Sequence, residues 1–286
     1  MGPQRRRHPL LPQIVMFAGK TIAITGASTG LGRELAVQLA RAGARLALFA
    51  RNETALRETA RLCQQPGGPE PLVIAGDVTR PEDCARLIAE TVSSFGALDC
   101  LIANAGVSMW ARFEDIRDLS FFRKLIEVNY LGAVHCLHPA LPHLRKSRGL
   151  FVAVASLQSK IGAPAHTGYT AAKHALDGFL ESLRMELDGS GVGILAVYPS
   201  WISGTELRSH AFCEAGAKTG EARRSHTSDA VPAEECARRI LTAMASRKEQ
   251  IFIPDKYRWL PWARLALPRL LRRKIQKRVA TQKAGD

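Results

Sequence analysis

The sequence predicts an α/β domain, doubly wound around one mostly parallel sheet of seven strands. Two observations carry that reading. Seven short apolar or β-branched runs alternate with helical patterns along the chain, and strict strand–helix alternation is what parallel strands with crossover helices produce. Several of the runs lack polar alternation, as strands covered on both faces do. A chain of 286 residues is long enough for one such domain with a full core.

The elements follow in order. Strands are predicted at Thr21–Thr25, Leu46–Phe49, Leu72–Ala75, Cys100–Ala103, Leu150–Ala155, Ile194–Val197 and Ile251–Ile253, each flanked by turn residues. Helical periodicity falls between them at 31–42, 53–64, 81–95, 118–146, 168–188 and 232–246. There is no internal repeat, low-complexity segment or linker in the middle. Composition changes only near the ends, which divides the chain into a basic extension (1–18), an α/β domain (19–255) and a basic amphipathic tail (256–286).

Charge location excludes one function class. The formal charge is +14. Residues 1–20 contribute +4, including Arg5, Arg6 and Arg7, and residues 256–286 contribute +9, which leaves the middle near neutral. A folded nucleic-acid reader would spread its basic face over the domain, so no nucleic-acid partner is expected. The six cysteines (63, 84, 100, 136, 213 and 236) have no metal-ligand or CxxC spacing. They read as reduced thiols in a cytoplasmic protein. The apolar run Ile14–Ala18 is too short for a signal-peptide core, and no stretch is long enough to cross a bilayer.

Chemistry begins at the end of the first strand, which runs into Thr25-Gly26-Ala27-Ser28-Thr29-Gly30-Leu31-Gly32 and then a helix. Glycines there allow a sharp turn and close approach of a pyrophosphate, whose charge the helix N-terminus stabilises. A bare strand-to-helix turn also favours glycine, so placement at the first junction is what points to a dinucleotide. The second strand ends in Phe49-Ala50-Arg51-Asn52. An acid there would serve the ribose 2′-hydroxyl of NAD; Arg51 instead can fork onto the 2′-phosphate of NADP(H). The alternative for Arg51 is a solvated surface arginine, and Arg33 is a weaker second candidate for the phosphate.

Tyr169 and Lys173 lie four apart on one helix face. Of the four tyrosines, only Tyr169 has a lysine at that spacing. A phenol with a pKa of about 10 is a poor acid or base near neutrality, and an adjacent ammonium is expected to lower it. Ser156 offers a hydroxyl at the end of the fifth strand, where a parallel sheet presents its ligand edge. Asn129 is polar in a largely apolar helical stretch.

Together these motifs resemble the short-chain dehydrogenase/reductase family, in its Tyr-x-x-x-Lys branch, over roughly residues 19–205. The resemblance implies a Rossmann-type fold and NADP(H) bound along Thr25, Gly26, Ser28, Thr29, Gly30, Leu31, Gly32, Arg51, Asp77, Val78, Asn104, Ala105, Gly106, Tyr169, Lys173, Pro199 and Ile202. Asp77 and Val78 would line the adenine, Asn104 would steady the sheet, and Lys173 would also hold the nicotinamide ribose. Ser156 would orient the substrate oxygen and Asn129 would hold a relay water. Three stretches depart from the family pattern: Ala103 replaces the first asparagine of Asn-Asn-Ala-Gly, and Ala155 the first of two serines. In Pro199-Ser200-Trp201-Ile202-Ser203-Gly204-Thr205 the threonine comes one residue late.

Two surfaces are read in more than one way. Ala171, Ala175, Gly178 and Ser182 form a row of small residues opposite the leucine stripe of the Tyr169 helix. Either another helix of the chain covers them, or they serve the homodimer or homotetramer that the family resemblance implies. In the tail, Leu267, Leu271, Ile275 and Val279 keep a spacing of four among basic residues, with breaks at Pro261 and Pro268. The tail suits peripheral contact with an anionic membrane, or else packs over the substrate cleft or a neighbouring subunit. The function expected is an NADP(H)-dependent oxidoreductase that moves a hydride to or from a small apolar carbonyl or alcohol, lipid- or steroid-like. The stretch around Gln158 to His174 resembles hydroxysteroid-dehydrogenase-like members, and the stretches Phe49 to Glu53 and Asn129 to Gly132 resemble 3-ketosphinganine-reductase-like members equally well. The alternative is a catalytically silent nucleotide-binding regulator of the same fold.

Overall fold

The structure is a computed structural model that describes residues 16–65, 68–205, 207, 211–213 and 230–283, with side chains described to residue 277. Most of the basic extension, Arg5 to Arg7 included, lies outside the described residues, as does the side chain of Val279.

A seven-stranded parallel sheet forms the centre. Its strands are β1 (Thr21–Thr25), β2 (Arg45–Ala50), β3 (Leu72–Ala75), β4 (Cys100–Ala103), β5 (Leu150–Val154), β6 (Gly193–Pro199) and β9 (Gln250–Ile253), in the order β3-β2-β1-β4-β5-β6-β9. Between β6 and β9 come two short strands paired with each other, β7 (Ile202–Ser203) and β8 (Val231–Pro232). All seven expected strands are present. Two residues each, β7 and β8 are too short for a hydrophobic period to reveal.

Helices cover both faces. On one side α1 (Gly30–Arg41), α2 (Glu53–Cys63) and α7 (Ala233–Ala245) bury Leu35, Leu39, Leu56 and Ile240 against Ile22, Ile24 and Leu48. On the other, α3 (Pro81–Phe95), α5 (Gly132–Ser147) and α6 (Thr167–Glu186) bury Leu87, Leu137, Leu176 and Leu180 against Ala23, Phe151 and Tyr198. Apolar burial on both faces is why the strand segments read as continuous runs. The strand order reverses between β1 and β4, which opens a crevice at the C-terminal edge of the sheet.

The single helix expected over 118–146 is three pieces: α4 (Ser120–Ile126), a π-helical stretch (Glu127–Leu131) and α5. Sequence periodicity cannot register a one-residue insertion in the helical ladder. Asn129 sits inside it, in a type of bulge that often marks functional sites. Glycine at 132 is required sterically: a Cβ there would lie 2.8 Å from Val78 Cγ2.

The leucine stripe of α6 is buried, as expected. Its row of small residues is not covered by another helix among the described residues: Ala171, Gly178 and Ser182 are exposed, and a Cβ at Gly178 would meet nothing within 4 Å. All six cysteines are unpaired. Burial pushes the thiols of Cys63 and Cys236 up to about 12, which keeps them protonated and inert.

After β9 the chain forms a short 3-10 turn (Asp255–Trp259), then α8 (Leu260–Ala266) and α9 (Pro268–Lys283). Pro261 lies in the first turn of α8, and Pro268 opens α9. No helix among the described residues is long and apolar enough to cross a membrane.

Candidate active site

One cavity of about 1290 Å³ occupies the crevice and runs from the glycine turn to the tail. The turn is held open by close packing. Gly26 and Gly30 adopt positive φ (64° and 53°). A Cβ at Gly32 would lie 2.1 Å from the Gly26 carbonyl and 2.6 Å from Asn104 Nδ2. Asn104 donates from Nδ2 to the carbonyls of Thr25 (3.1 Å) and Gly26 (3.2 Å). Its backbone N–H and that of Ala105 both donate to Thr25 Oγ1. The turn, β1 and the loop after β4 are therefore one rigid unit, with a groove above it that glycine leaves clear for a bulky ligand.

Around that groove, Arg51 is exposed on the cavity wall, while Asn52 caps α2 by accepting from Ala55 N at 3.0 Å. Arg33 is committed elsewhere: its guanidinium donates to the Ser28 carbonyl (2.7 Å) and to Thr59 Oγ1 (3.2 Å). Asp77 accepts from Thr79 N, and the Val78 carbonyl lies 3.0 Å from His135 Nδ1; both residues line the cavity. Pro199, Ile202 and Thr205 line it as well. Although Thr205 comes one position late in sequence, it packs on Gly30, where a Cβ would lie 3.2 Å from its own. The positive φ of Gly204 (74°) helps to absorb the extra residue.

Ser156, Tyr169 and Lys173 meet at the cavity floor. Ser156 Oγ accepts from Gln158 N at 3.1 Å, and its hydroxyl is near enough to the Tyr169 phenol to favour the phenolate. Lys173 donates to the Val154 carbonyl at 2.9 Å and lies 5.7 Å from the centre of the Tyr169 ring. Both residues are buried. Asn129 does not reach into this group with its side chain: Nδ2 donates to the carbonyls of Val107 (2.9 Å) and Leu125 (3.0 Å), and Oδ1 accepts from Val107 N. Both of its amide hydrogens are taken, and Asn129 ties the π-helical stretch to the loop after β4.

The expected lowering of the Tyr169 pKa by Lys173 is not what the structure gives. Burial pushes the phenol up to about 12, with the Ser156 hydrogen bond opposing. Burial likewise lowers Lys173 to about 8. Spacing in sequence brings the two onto one face, but the ammonium is turned toward a carbonyl and not toward the phenol oxygen. Tyr169 is therefore a protonated phenol at neutral pH, a state able to donate a proton.

Sequence reasoning missed part of the wall. His166 is buried beside Tyr169 (ring centres 6.4 Å apart) and packs edge-on against Trp110 at 4.8 Å. Trp201 completes an aromatic cluster with both. The three-residue spacing of His166 and Tyr169 was the available signal. The tail forms the roof: Tyr257, Trp259, Leu260, Ala263, Leu271 and Ile275 line the cavity. Arg264 fastens it by donating to the Lys160 carbonyl (2.7 Å) and to His174 Nε2 (3.3 Å). His174 Nδ1 lies 2.9 Å from the Thr170 carbonyl, so Nδ1 carries the proton and Nε2 is free to accept. Among the described residues, no group of three His, Cys, Asp or Glu side chains could hold a metal ion.

Residues 20–214 match the short chain dehydrogenase family. The chain belongs to that family. Short-chain dehydrogenases are oxidoreductases that bind a nicotinamide dinucleotide, and the glycine cradle at 25–32 fits its pyrophosphate. Among relatives of this short-chain dehydrogenase is an 11-beta-hydroxysteroid dehydrogenase A from Arachis hypogaea, 39% identical over 259 residues, covering 89% of this chain and 74% of that protein. An 11-beta-hydroxysteroid dehydrogenase-like 4A from Arabidopsis thaliana is 36% identical, covering 88% of this chain and 82% of its own. The X-ray structure of an alcohol dehydrogenase from the archaeon Thermococcus sibiricus, complexed with 5-hydroxy-NADP, superposes with a TM-score of 0.69 at 26% identity. It covers 82% of this chain and 95% of that one.

Proposed function

We propose that this short-chain dehydrogenase interconverts a carbonyl and a secondary alcohol on an apolar, lipid- or steroid-like molecule, with NADP(H) as cofactor. The observation that carries this reading is the Ser156–Tyr169–Lys173 group, with Tyr169 and Lys173 buried, set between a glycine cradle and a largely apolar roof in one cavity. A silent nucleotide binder has no use for a phenol and an ammonium held out of water together.

When bound, the nicotinamide would supply the hydride. In reduction Tyr169, protonated at neutral pH, donates its proton to the substrate oxygen, and Ser156 holds that oxygen where negative charge develops. Lys173, whose ammonium the Val154 carbonyl holds at the floor, would hold the nicotinamide ribose and keeps a positive charge on the same helix face as the phenol. Asn129 fixes the loop at 104–107 against the floor. Arg51, exposed at the cavity wall with no carboxylate in its place, supports NADP(H) over NAD(H); Thr25 to Gly32, Asp77, Val78, Asn104 to Gly106, Pro199 and Ile202 complete the cofactor wall. The test is NADPH oxidation by purified protein against a panel of long-chain and steroidal ketones. Tyr169→Phe should abolish turnover while NADPH still binds, because only the exchangeable proton is removed. Substantial turnover by that variant would rule out the assignment.

Two assemblies belong to the same proposal. The tail's outer side exposes Trp262 (67%), Leu265 (76%) and Leu270 (60%) among basic residues, a composition that suits the anionic cytoplasmic face of a membrane. The uncovered small-residue face of α6 suits a homodimer or homotetramer. The chain then divides by role into a basic extension, an oxidoreductase domain at 19–255 and a roof-forming tail.

A further inference from the structure

Gln158 lies two residues beyond Ser156, is 9% exposed, and lines the cavity. Its Oε1 accepts from Thr170 Oγ1 at 3.0 Å. Thr170 has no other acceptor for its hydroxyl hydrogen among the described residues, so the bond fixes which end of the amide faces which way. The carbonyl turns to Thr170, and the NH2 group turns to the cavity. Among the described residues no protein atom accepts from Nε2, and the atom is not one of the fully enclosed orphans. The neighbouring stretch of chain contributes apolar Leu157, Ile161 and Ala163 to the cavity wall.

From this geometry we propose that Gln158 is a specificity-determining residue. It forms a subsite for a second hydrogen-bond-accepting oxygen on the substrate, distinct from the oxygen held by Ser156 and Tyr169. The proposal rests on the reading above that the cavity takes an apolar carbonyl compound, and it narrows that class to dioxygenated molecules, whose second oxygen is a keto, ester or hydroxyl group. The physical reason is desolvation. A wholly hydrocarbon body that fills this end of the cavity expels water and leaves two N–H donors unpaired, whereas an acceptor placed there satisfies one. Thr170 is a positioning residue: it touches no substrate and acts by holding the amide in the donating orientation. The backbone N–H of Gln158 separately supports Ser156, so a change of the side chain leaves that contact in place.

The experiment measures binding with NADP+ and turnover with NADPH on the same protein preparations. Full-length protein holding NADP+ is titrated with a saturated tricyclic monoketone, and with diketones of the same skeleton whose second keto group is stepped around the rings. Trp201 and Trp259 line the cavity, so quenching of tryptophan fluorescence reports occupancy. At least one diketone should bind wild type about tenfold to hundredfold more tightly than the monoketone. Gln158→Leu should erase that ratio by lowering the affinity for the diketone to that for the monoketone. Thr170→Val should reduce the ratio, and Thr170→Ser should retain it. A merely structural role would instead lower the melting temperature and leave the ratio unchanged. Equal binding across the series by wild type, an undiminished ratio in Gln158→Leu, or no quenching by any probe overturns the subsite. Selective binding without NADPH oxidation upholds the subsite and overturns the hydride-transfer reading.

Discussion

Replacing Lys173 by methionine should make the protein more stable at neutral pH and inactive. Lys173 is 4% exposed, and its ammonium hydrogen-bonds the Val154 carbonyl; no carboxylate pairs with it among the described residues. Burial lowers its pKa from 10.5 to about 8, which means that holding the charge inside costs about 3 kcal/mol at pH 7. Methionine has a similar unbranched shape and no charge, but loses the hydrogen bond, worth about 1–2 kcal/mol. The variant should therefore be more stable by about 1–2 kcal/mol, or a few degrees in Tm. The pH dependence separates this cause from others. An amine whose folded pKa lies below its unfolded value carries a penalty that is complete below about pH 8 and fades as pH rises to 10.5. Wild type should gain stability across that window relative to Lys173→Met. Tyr169 acts in the opposite sense: its folded pKa of about 12 means stability is lost as pH rises from 10 toward 12. Its contribution is common to both proteins and drops out of their difference. Urea unfolding at pH 7, 8, 9 and 10, without added nucleotide and with matching m-values, makes the comparison. A variant less stable than wild type at pH 7, or a difference that does not change with pH, would refute the reasoning.

Other perturbations test the remaining parts. Gly32→Ala forces a Cβ to 2.1 Å from a backbone carbonyl, and should cost about 3 kcal/mol or more and abolish nucleotide binding; a soluble variant with wild-type Tm and Kd would contradict the cradle geometry. Arg51→Asp should weaken NADPH by about tenfold or more and favour NADH relatively, as read by nucleotide titration; tighter NADH than NADPH binding by wild type would defeat the cofactor assignment. Deletion of residues 256–286 should abolish salt-sensitive sedimentation with anionic liposomes and raise KM for an apolar ketone more than for a small water-soluble one. Unchanged KM for both would show that the roof contacts no substrate.

The sheet was legible because each strand is apolar enough to be covered on both sides, and because its ends fall on Gly26, Gly76 or the loop that begins at Asn104. The cofactor wall was legible for a related reason: close backbone approach admits little besides glycine at 26 and 32. Where the sequence ran out, the missing information was three-dimensional. Asn129 stood out as a polar residue in an apolar helix, but its bonds to Val107 and Leu125 depend on a π-helical insertion that periodicity does not encode. The pair at 169 and 173 was readable as a shared face, while the direction of the Lys173 ammonium depends on the Val154 carbonyl from a different strand. Gln158 and His166 acquire meaning only once Thr170 and Trp201 are beside them. The tail's spacing of four identified Leu271 and Ile275 as a face without saying what that face covers.

The roof also separates two properties that most enzymes entangle. The 3-10 turn at 255–259 and α8 bury no residue fully; Tyr257 and Leu260 pack on one core layer that the sheet and its covering helices otherwise build. Side chains that shape the far end of the cavity thus sit in the last segment of the chain, fastened by polar contacts such as that of Arg264 with Lys160 and His174. Substitutions there can remodel which molecules fit while the sheet and the nucleotide cradle stay as they are. Molecular preference in such a protein is free to drift quickly, and exchanging the terminal thirty or so residues between relatives becomes a way to transplant it.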